Sequence, residues 1–277
     1  MISKTKISRQ EIIQETISCA VDKKASQSLL SFISLMYQTV PLDKLKQIKP
    51  EFLYDFSVKA WPLIESYNGS DYCEILKAND LKYAYKADNN FIFIATKSKP
   101  FLIDSIRMAL IRYGVNIYHY IHIANIKITK SSKHIEEIRQ DSSENYTDDT
   151  FIVFEINNLN KTSVDDLRNK ILNVLDDVSR AVRDWGAMKG QMQKSIEVID
   201  KLSVNHFGVD NLNESKFFLT WLIEYFTFLG CREYIVQGTG KNKALVLKEN
   251  SSLGVLREHA NCIKQRYCAI KKNHACN

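Results

Sequence analysis

Apolar residues in the first seventy positions recur at three- and four-residue steps, the spacing that lines one face of a helix. Ile13, Ile17, Ala20 and Val21 follow Ser8 and Glu11, whose types and spacing fit a capping box at a helix start. Leu29, Leu30, Ile33 and Met36 predict a second helix over 26–37. Pro41 and Pro50 punctuate the chain, and Pro50 suits the first turn of a third helix. That helix carries Leu53, Phe56, Ala60 and Ile64 and should end near Asn68 and Gly69. All three stripes read as packing faces with no chemistry in them.

From about Tyr72 the period changes. The run 91–96, rich in Phe and Ile, predicts a buried strand. Ser98 and Pro100 then open a helix with Leu102, Ile106, Leu110 and Tyr113 inward, and Gly114 stands where a helix end favours glycine. Residues 115–129 predict one long strand, 130–149 a polar surface loop holding a short helix, and 151–156 another strand. Val164, Leu167, Ile171, Val174, Val178 and Val182 then mark the cleanest helix of the chain, with Asp165 and Asp166 in its first turn. It should run through Trp185 toward Leu202, with Gly186 as the place for a break. Strand, helix, strand, strand, helix is the opening of a ferredoxin-like unit. Its fourth strand has two candidates, 74–78 and 233–236.

Beyond Asn205 a helix over 213–226 carries Phe217, Phe218, Trp221, Leu222 and Tyr225. Strands over 232–237 and 244–248 follow, joined by a Gly-containing turn at 238–243. The fold class is therefore α+β: a helical N-terminal region (1–71), a ferredoxin-like βαββα unit (72–182), a helical linker (183–216), the beginning of a second α/β unit (217–257) and an irregular tail (258–277).

Composition narrows the function. The chain has 277 residues, 45% of them hydrophobic and 25% charged, which is ordinary for a globular protein. A net charge of +6 is small for this length, and no Lys/Arg cluster appears before the last twenty residues, which argues against nucleic acid as a partner. No run of 18 or more apolar residues is present, so no membrane partner is expected, and no apolar segment follows the basic start to make a signal peptide. Six cysteines spread along the chain then read as reduced thiols in a cytoplasmic protein.

Candidate chemistry is sparse. Gly238 and Gly240 offer two glycines of a dinucleotide turn, but Lys243 occupies the third place and a strand, not a helix, follows. A phosphate loop fails too, because Ile235 stands where its first glycine belongs. His119 and His122 are three apart on a strand and so face opposite sides. His259, Cys262, Cys268, His274 and Cys276 lack the paired spacing of a zinc knuckle. Asp104 reads as a carboxylate favoured by the helix dipole. No catalytic, cofactor or metal residues are expected.

Five segments together resemble one family, the large NAD-specific glutamate dehydrogenases of bacteria. They are 100–106 (PFLIDSI), 151–156 (FIVFEI), 181–188 (AVRDWGAM), 218–234 (FLTWLIEYFTFLGCREY) and 252–257 (SLGVLR). The likeness covers roughly 28–257. It implies ACT-type folds at the N-terminus of a longer polypeptide that oxidises glutamate to 2-oxoglutarate and ammonium with NAD, the catalytic and nucleotide-binding parts lying beyond residue 277. Partners so implied are the remainder of the enzyme or further copies of the chain, and an amino-acid effector. ACT-type domains take such effectors at the turn between first strand and first helix, here Lys99, Pro100 and Phe101 with Asp104 beyond. Phe101 fills the place where glycine is usual, and its bulk argues for assembly at least as strongly as for sensing. Cys231 departs from the usual Tyr. The stretch 258–277 keeps no family pattern, as expected of a truncated or frameshifted end. The other reading is a free-standing ACT-type amino-acid-sensing regulator.

Overall fold

The computed structural model describes residues 7–77, 89–131, 134–140, 148–157, 159, 164–239 and 243–257. Two compact units divide the chain, Met1–Asp176 and Asp177–Asn277.

In the first unit, four helices precede the sheet: α1 (Arg9–Val21), α2 (Gln27–Gln38), α3 (Leu42–Leu45) and α4 (Pro50–Ser66). Ser8 and Glu11 form a reciprocal capping box on α1, and Pro50 opens α4, where its missing N–H costs no helical bond. The short α3 was not legible as a helix in the sequence.

The sheet is built from β1 (Tyr72–Lys77), β2 (Asn90–Lys97), β3 (Ile117–Ser131), β4 (His134–Gln140) and β5 (Asp149–Ile156), in the order β1-β2-β5-β3-β4 with every neighbour antiparallel. Helix α5 (Leu102–Arg112) joins β2 to β3, and α6 (Val164–Asp200) follows β5. The run β2-α5-β3-β5-α6 is the ferredoxin-like order. The edge beside β2, where that unit's closing strand pairs, is held by β1, which comes from before the unit. Of the two candidates for the fourth strand, the one near 74–78 is therefore the strand in the sheet.

The segment 130–149 departs from expectation. Its described residues 134–140 form β4, which pairs with the second half of β3 where a polar loop with a short helix was expected, while 132–133 and 141–147 lie outside the described residues. Its buried residues, Ile135 and Ile138, are three apart, which fits neither a flat strand nor a helix of that length. A register shift in the ladder between Thr129 and Lys130 accommodates this spacing, and both side chains join the core. Tyr113 also departs, being the half-buried C-cap of α5 whose hydroxyl donates to Asp166 Oδ2 at 2.8 Å. Helix α6 runs unbroken through Gly186.

Period-two alternation sends Phe91, Phe93, Phe151 and Val153 to the sheet face covered by α1, α2 and α4. Ring contacts mark the seam: Phe32 meets Phe151 edge-on at 5.6 Å, and Phe56 lies 5.2 Å from Phe93. Ile92, Ile94, Ile152 and Phe154 point the other way and are equally buried. A sheet buried on both faces needs a second layer, and α5 and the start of α6 supply one with Leu102, Ile106, Leu110, Leu167 and Ile171. Lys130 ties the layers together from β3: its ammonium donates to the carbonyls of Ile64 (3.1 Å), Glu65 (2.8 Å) and Tyr67, closing the C-terminal end of α4.

The second unit holds the rest of α6, then α7 (Val204–Phe207), α8 (Val209–Tyr225), β6 (Gly230–Cys231), β7 (Tyr234–Gln237), β8 (Ala244–Leu247) and β9 (Leu253–Gly254). Strand β6 pairs with β9 and β7 with β8, both antiparallel.

Candidate functional site

The turn between β2 and α5 gathers the residues singled out in the sequence. Phe101 is the N-cap of α5, with φ 68° and ψ 2°, in the left-handed region that glycine takes without cost. The backbone thus keeps a glycine-like geometry at this position although the residue is Phe, and the side chain is 52% exposed. No side chain caps the helix. Asp104 lies exposed in its first turn, and Pro100 is half-buried. Lys99 Nζ is 3.4 Å from both Asp71 Oδ1 and Thr96 Oγ1. The residue that fixes the turn, Ser98, was not singled out in the sequence. Its N–H donates to the Asp148 carbonyl at 2.8 Å, its hydroxyl bonds Thr150 Oγ1, and the Asn125 N–H donates to that hydroxyl at 3.3 Å.

A second feature lies where the N-terminal helices meet the sheet. A cavity of about 40 Å³ has apolar walls that include Leu45, Leu53, Phe56, Phe91, Ile121 and Val153. Its polar lining is Lys44, Glu155 and His119. His119 and Glu155 are cross-strand partners in the β3–β5 register, so they share the helix-facing side of the sheet. Lys44, from α3, pairs with Glu155 Oε2, while Asn89 Nδ2 donates to Oε1 at 2.7 Å. His119 Nε2 is buried and bonds to nothing among the described residues. Burial, reinforced by the Lys44 charge, holds the imidazole below its ordinary pKa.

His122 pairs with Ile152, on the opposite face from His119. Among the described residues no group of three or more His, Cys, Asp or Glu is placed to hold a metal ion. The tail cysteines and histidines, 259–276, lie outside the described residues, as do 240–242 of the Gly238 turn. Gln237 pairs directly with Ala244 across that turn, the geometry of a hairpin. Cys73 is buried, and burial pushes its thiol up to about 12, a packing residue and not a nucleophile.

In the second unit, a polar knot forms around Asp184, one of the least exposed carboxylates described. Arg257 donates to it from both Nε and Nη2, the Gly254 N–H donates to Oδ2 at 2.8 Å, and Arg183 Nε lies 3.3 Å from Oδ1. These bonds, the Arg257 guanidinium foremost, hold the Asp184 carboxyl down at about 2. Gly254 sits at φ 61°, and a Cβ there would collide with the Leu229 carbonyl oxygen. Arg232 Nη2 donates to the Leu256 carbonyl at 2.7 Å, which closes the knot around β6 and β9.

These residues come from segments 73 positions apart that had each matched a family pattern by itself, 181–188 and 252–257. Residues 32–171, most of the first unit, fit the family model for the ACT1 domain of glutamate dehydrogenase. The chain belongs to that family. Among curated proteins it is similar to the NAD-specific glutamate dehydrogenase of Halomonas elongata, 27% identical over 253 residues, and to that of Pseudomonas aeruginosa, 26% identical over 255 residues. The alignments cover 88% and 90% of this chain but only 16% of each relative. In this chain the closing strand of the sheet is β1, and the Asp184–Arg257 pair joins the segments 181–188 and 252–257. Among the described residues, no helix is long and apolar enough to cross a membrane.

Proposed function

We propose that this chain is the non-catalytic N-terminal region of an NAD-specific glutamate dehydrogenase, acting in regulation and assembly in the cytoplasm. The parent reaction would be oxidation of L-glutamate with NAD and water to 2-oxoglutarate and ammonium, carried out by polypeptide outside these residues. NAD belongs to that part. The observation that carries this reading is the surface of the second unit. Phe217 is 75% and Tyr225 70% exposed on α8, and every residue of β7 is exposed, as is Leu245 on β8. A two-stranded hairpin with both faces open to water is marginal by itself. Apolar surface of this kind marks a docking face, and the partner that fits it is the remainder of the enzyme, with a second copy of the chain as the competing occupant. An amino-acid effector at the Lys99–Phe101 turn, with Asp104 beyond, is the regulatory role the family likeness supports.

A direct assay separates this reading from an active enzyme. The purified 277-residue protein, given glutamate and NAD, should produce no NADH above the protein-free rate. Turnover proportional to protein concentration would overturn it.

A further inference from the structure

We propose that His119, Glu155 and Lys44 form an acid-sensitive latch: a proton on His119 draws Glu155 away from Lys44 and frees helix α3 from the sheet. Three elements build it. Glu155 on β5 and His119 on β3 are cross-strand partners, and Lys44 reaches Glu155 from α3. Both oxygens of Glu155 are taken, Oε2 by Lys44 and Oε1 by Asn89 at 2.7 Å. His119 Nε2 lies buried in the same cavity with no partner among the described residues. A neutral ring forgoes one hydrogen bond there. An imidazolium loses more, because its buried N–H carries charge and the one carboxylate lining the cavity is already occupied.

The groups around the ring set the direction. It meets Glu155 from β5 and Lys44 from α3, while α4 brings only apolar side chains such as Phe52 and Phe56 to the cavity. From α2 comes the buried Tyr37 hydroxyl, which donates to the Leu53 carbonyl at 2.7 Å and which burial keeps neutral. Tyr120, next along β3, lies with its ring 6.4 Å away. Burial first, then the Lys44 charge, resists the proton, and Glu155 favours it. Once the proton is on, an imidazolium and an ammonium compete for one carboxylate. Lys44 yields, because its side chain is 21% exposed and reaches water, whereas His119 is fixed on a strand paired to β5. Little else holds α3, a single turn of four residues with no side-chain cap and Leu45 as its buried residue. With α3 away, the cavity of about 40 Å³ is open to water. While α3 is closed His119 titrates below its ordinary 6.5, and once α3 opens it returns there, so the proton binds the open form better. Closure is therefore strongest above about pH 6.5 and weakens as pH falls through that value.

Amide hydrogen exchange of 42–46 in the purified 277-residue protein, corrected for the intrinsic pH dependence of exchange, reads the opening of α3. The open fraction should be at least about twofold larger at pH 5.5 than at pH 7.5. In His119→Gln that rise should vanish. His122→Gln, on the opposite face of the sheet, should keep it in full. The unaltered protein gives a second reading that holds even where His119→Gln fails to fold. By NMR the His119 ring should titrate below 6.5, and the Lys44 ε-carbon and the α3 amides should move with the same midpoint. An open fraction that does not rise, a rise kept in His119→Gln or lost in His122→Gln, a His119 midpoint at or above 6.5, or Lys44 signals that ignore that midpoint would overturn the latch. None of these readings depends on turnover of NAD, so the latch and the non-catalytic reading fail separately.

Discussion

Asp184 has no sequence neighbour that explains its burial, and its partners lie 73 residues downstream. The pair it makes with Arg257 and the Gly254 N–H has a pH consequence of definite sign. The folded carboxyl is held near 2, against an ordinary value of 3.8. A depressed folded value contributes stability that is present above the unfolded value and lost as pH falls. The extra stability should therefore be full above about pH 4 and should fade as the pH drops from there toward 2. Asp184→Asn should cost about 1.5–3 kcal/mol at neutral pH, the range for hydrogen bonds to a charged group. Urea melts of both proteins at pH 7 and pH 3 should show the gap narrowing at the lower pH; a gap of equal size at both would contradict the assignment. The sequence supplied Asp184 only as part of a recurring segment, because a buried ion pair across 73 residues leaves no local periodicity. Glu155 was more legible in principle. A charged residue at a helix-facing position of the otherwise apolar strand 151–156 calls for a buried partner, but nothing local identified Lys44.

At the scale of elements, amphipathic helices with caps were the most readable features. Ser8 with Glu11 and Pro50 at the head of α4 act as their types require. The strand β4 was not readable, because a bulge rather than alternation sets which residues turn inward. Gly186 misled in the other direction, since glycine in a helix interior costs about 1 kcal/mol against Ala yet packing can override it. Around both Gly186 and Gly190 an added Cβ meets nothing within 4 Å. Gly186→Ala and Gly190→Ala should each therefore stabilise α6 by about 0.5–1 kcal/mol, seen as a higher thermal midpoint of the second unit. A fall in the midpoint would mean that the helix bends there in solution.

Over the whole molecule, the contrast lies between a first unit with a sheet buried on both faces and a second unit whose aromatic helix and hairpin meet water. Hydrophobic patterning made the first unit's plan legible apart from α3, β4 and the choice of closing strand. It also placed β7 and β8 and the turn between them, but alternation says nothing about what covers an apolar face when the cover is not in the sequence at hand. Phe217, Tyr225 and Leu245 are such apolar positions, exposed on α8 and β8. Hydrogen exchange on the purified 277-residue chain tests this most directly. Amides of β2 and β5, 90–97 and 149–156, should stay protected for hours, while those of α8 and the β7–β8 hairpin, 209–225 and 234–247, should exchange within seconds to minutes at every protein concentration. Protection of the second unit equal to that of the first, or protection that rises with concentration as copies associate, would contradict a surface that waits for the rest of the enzyme.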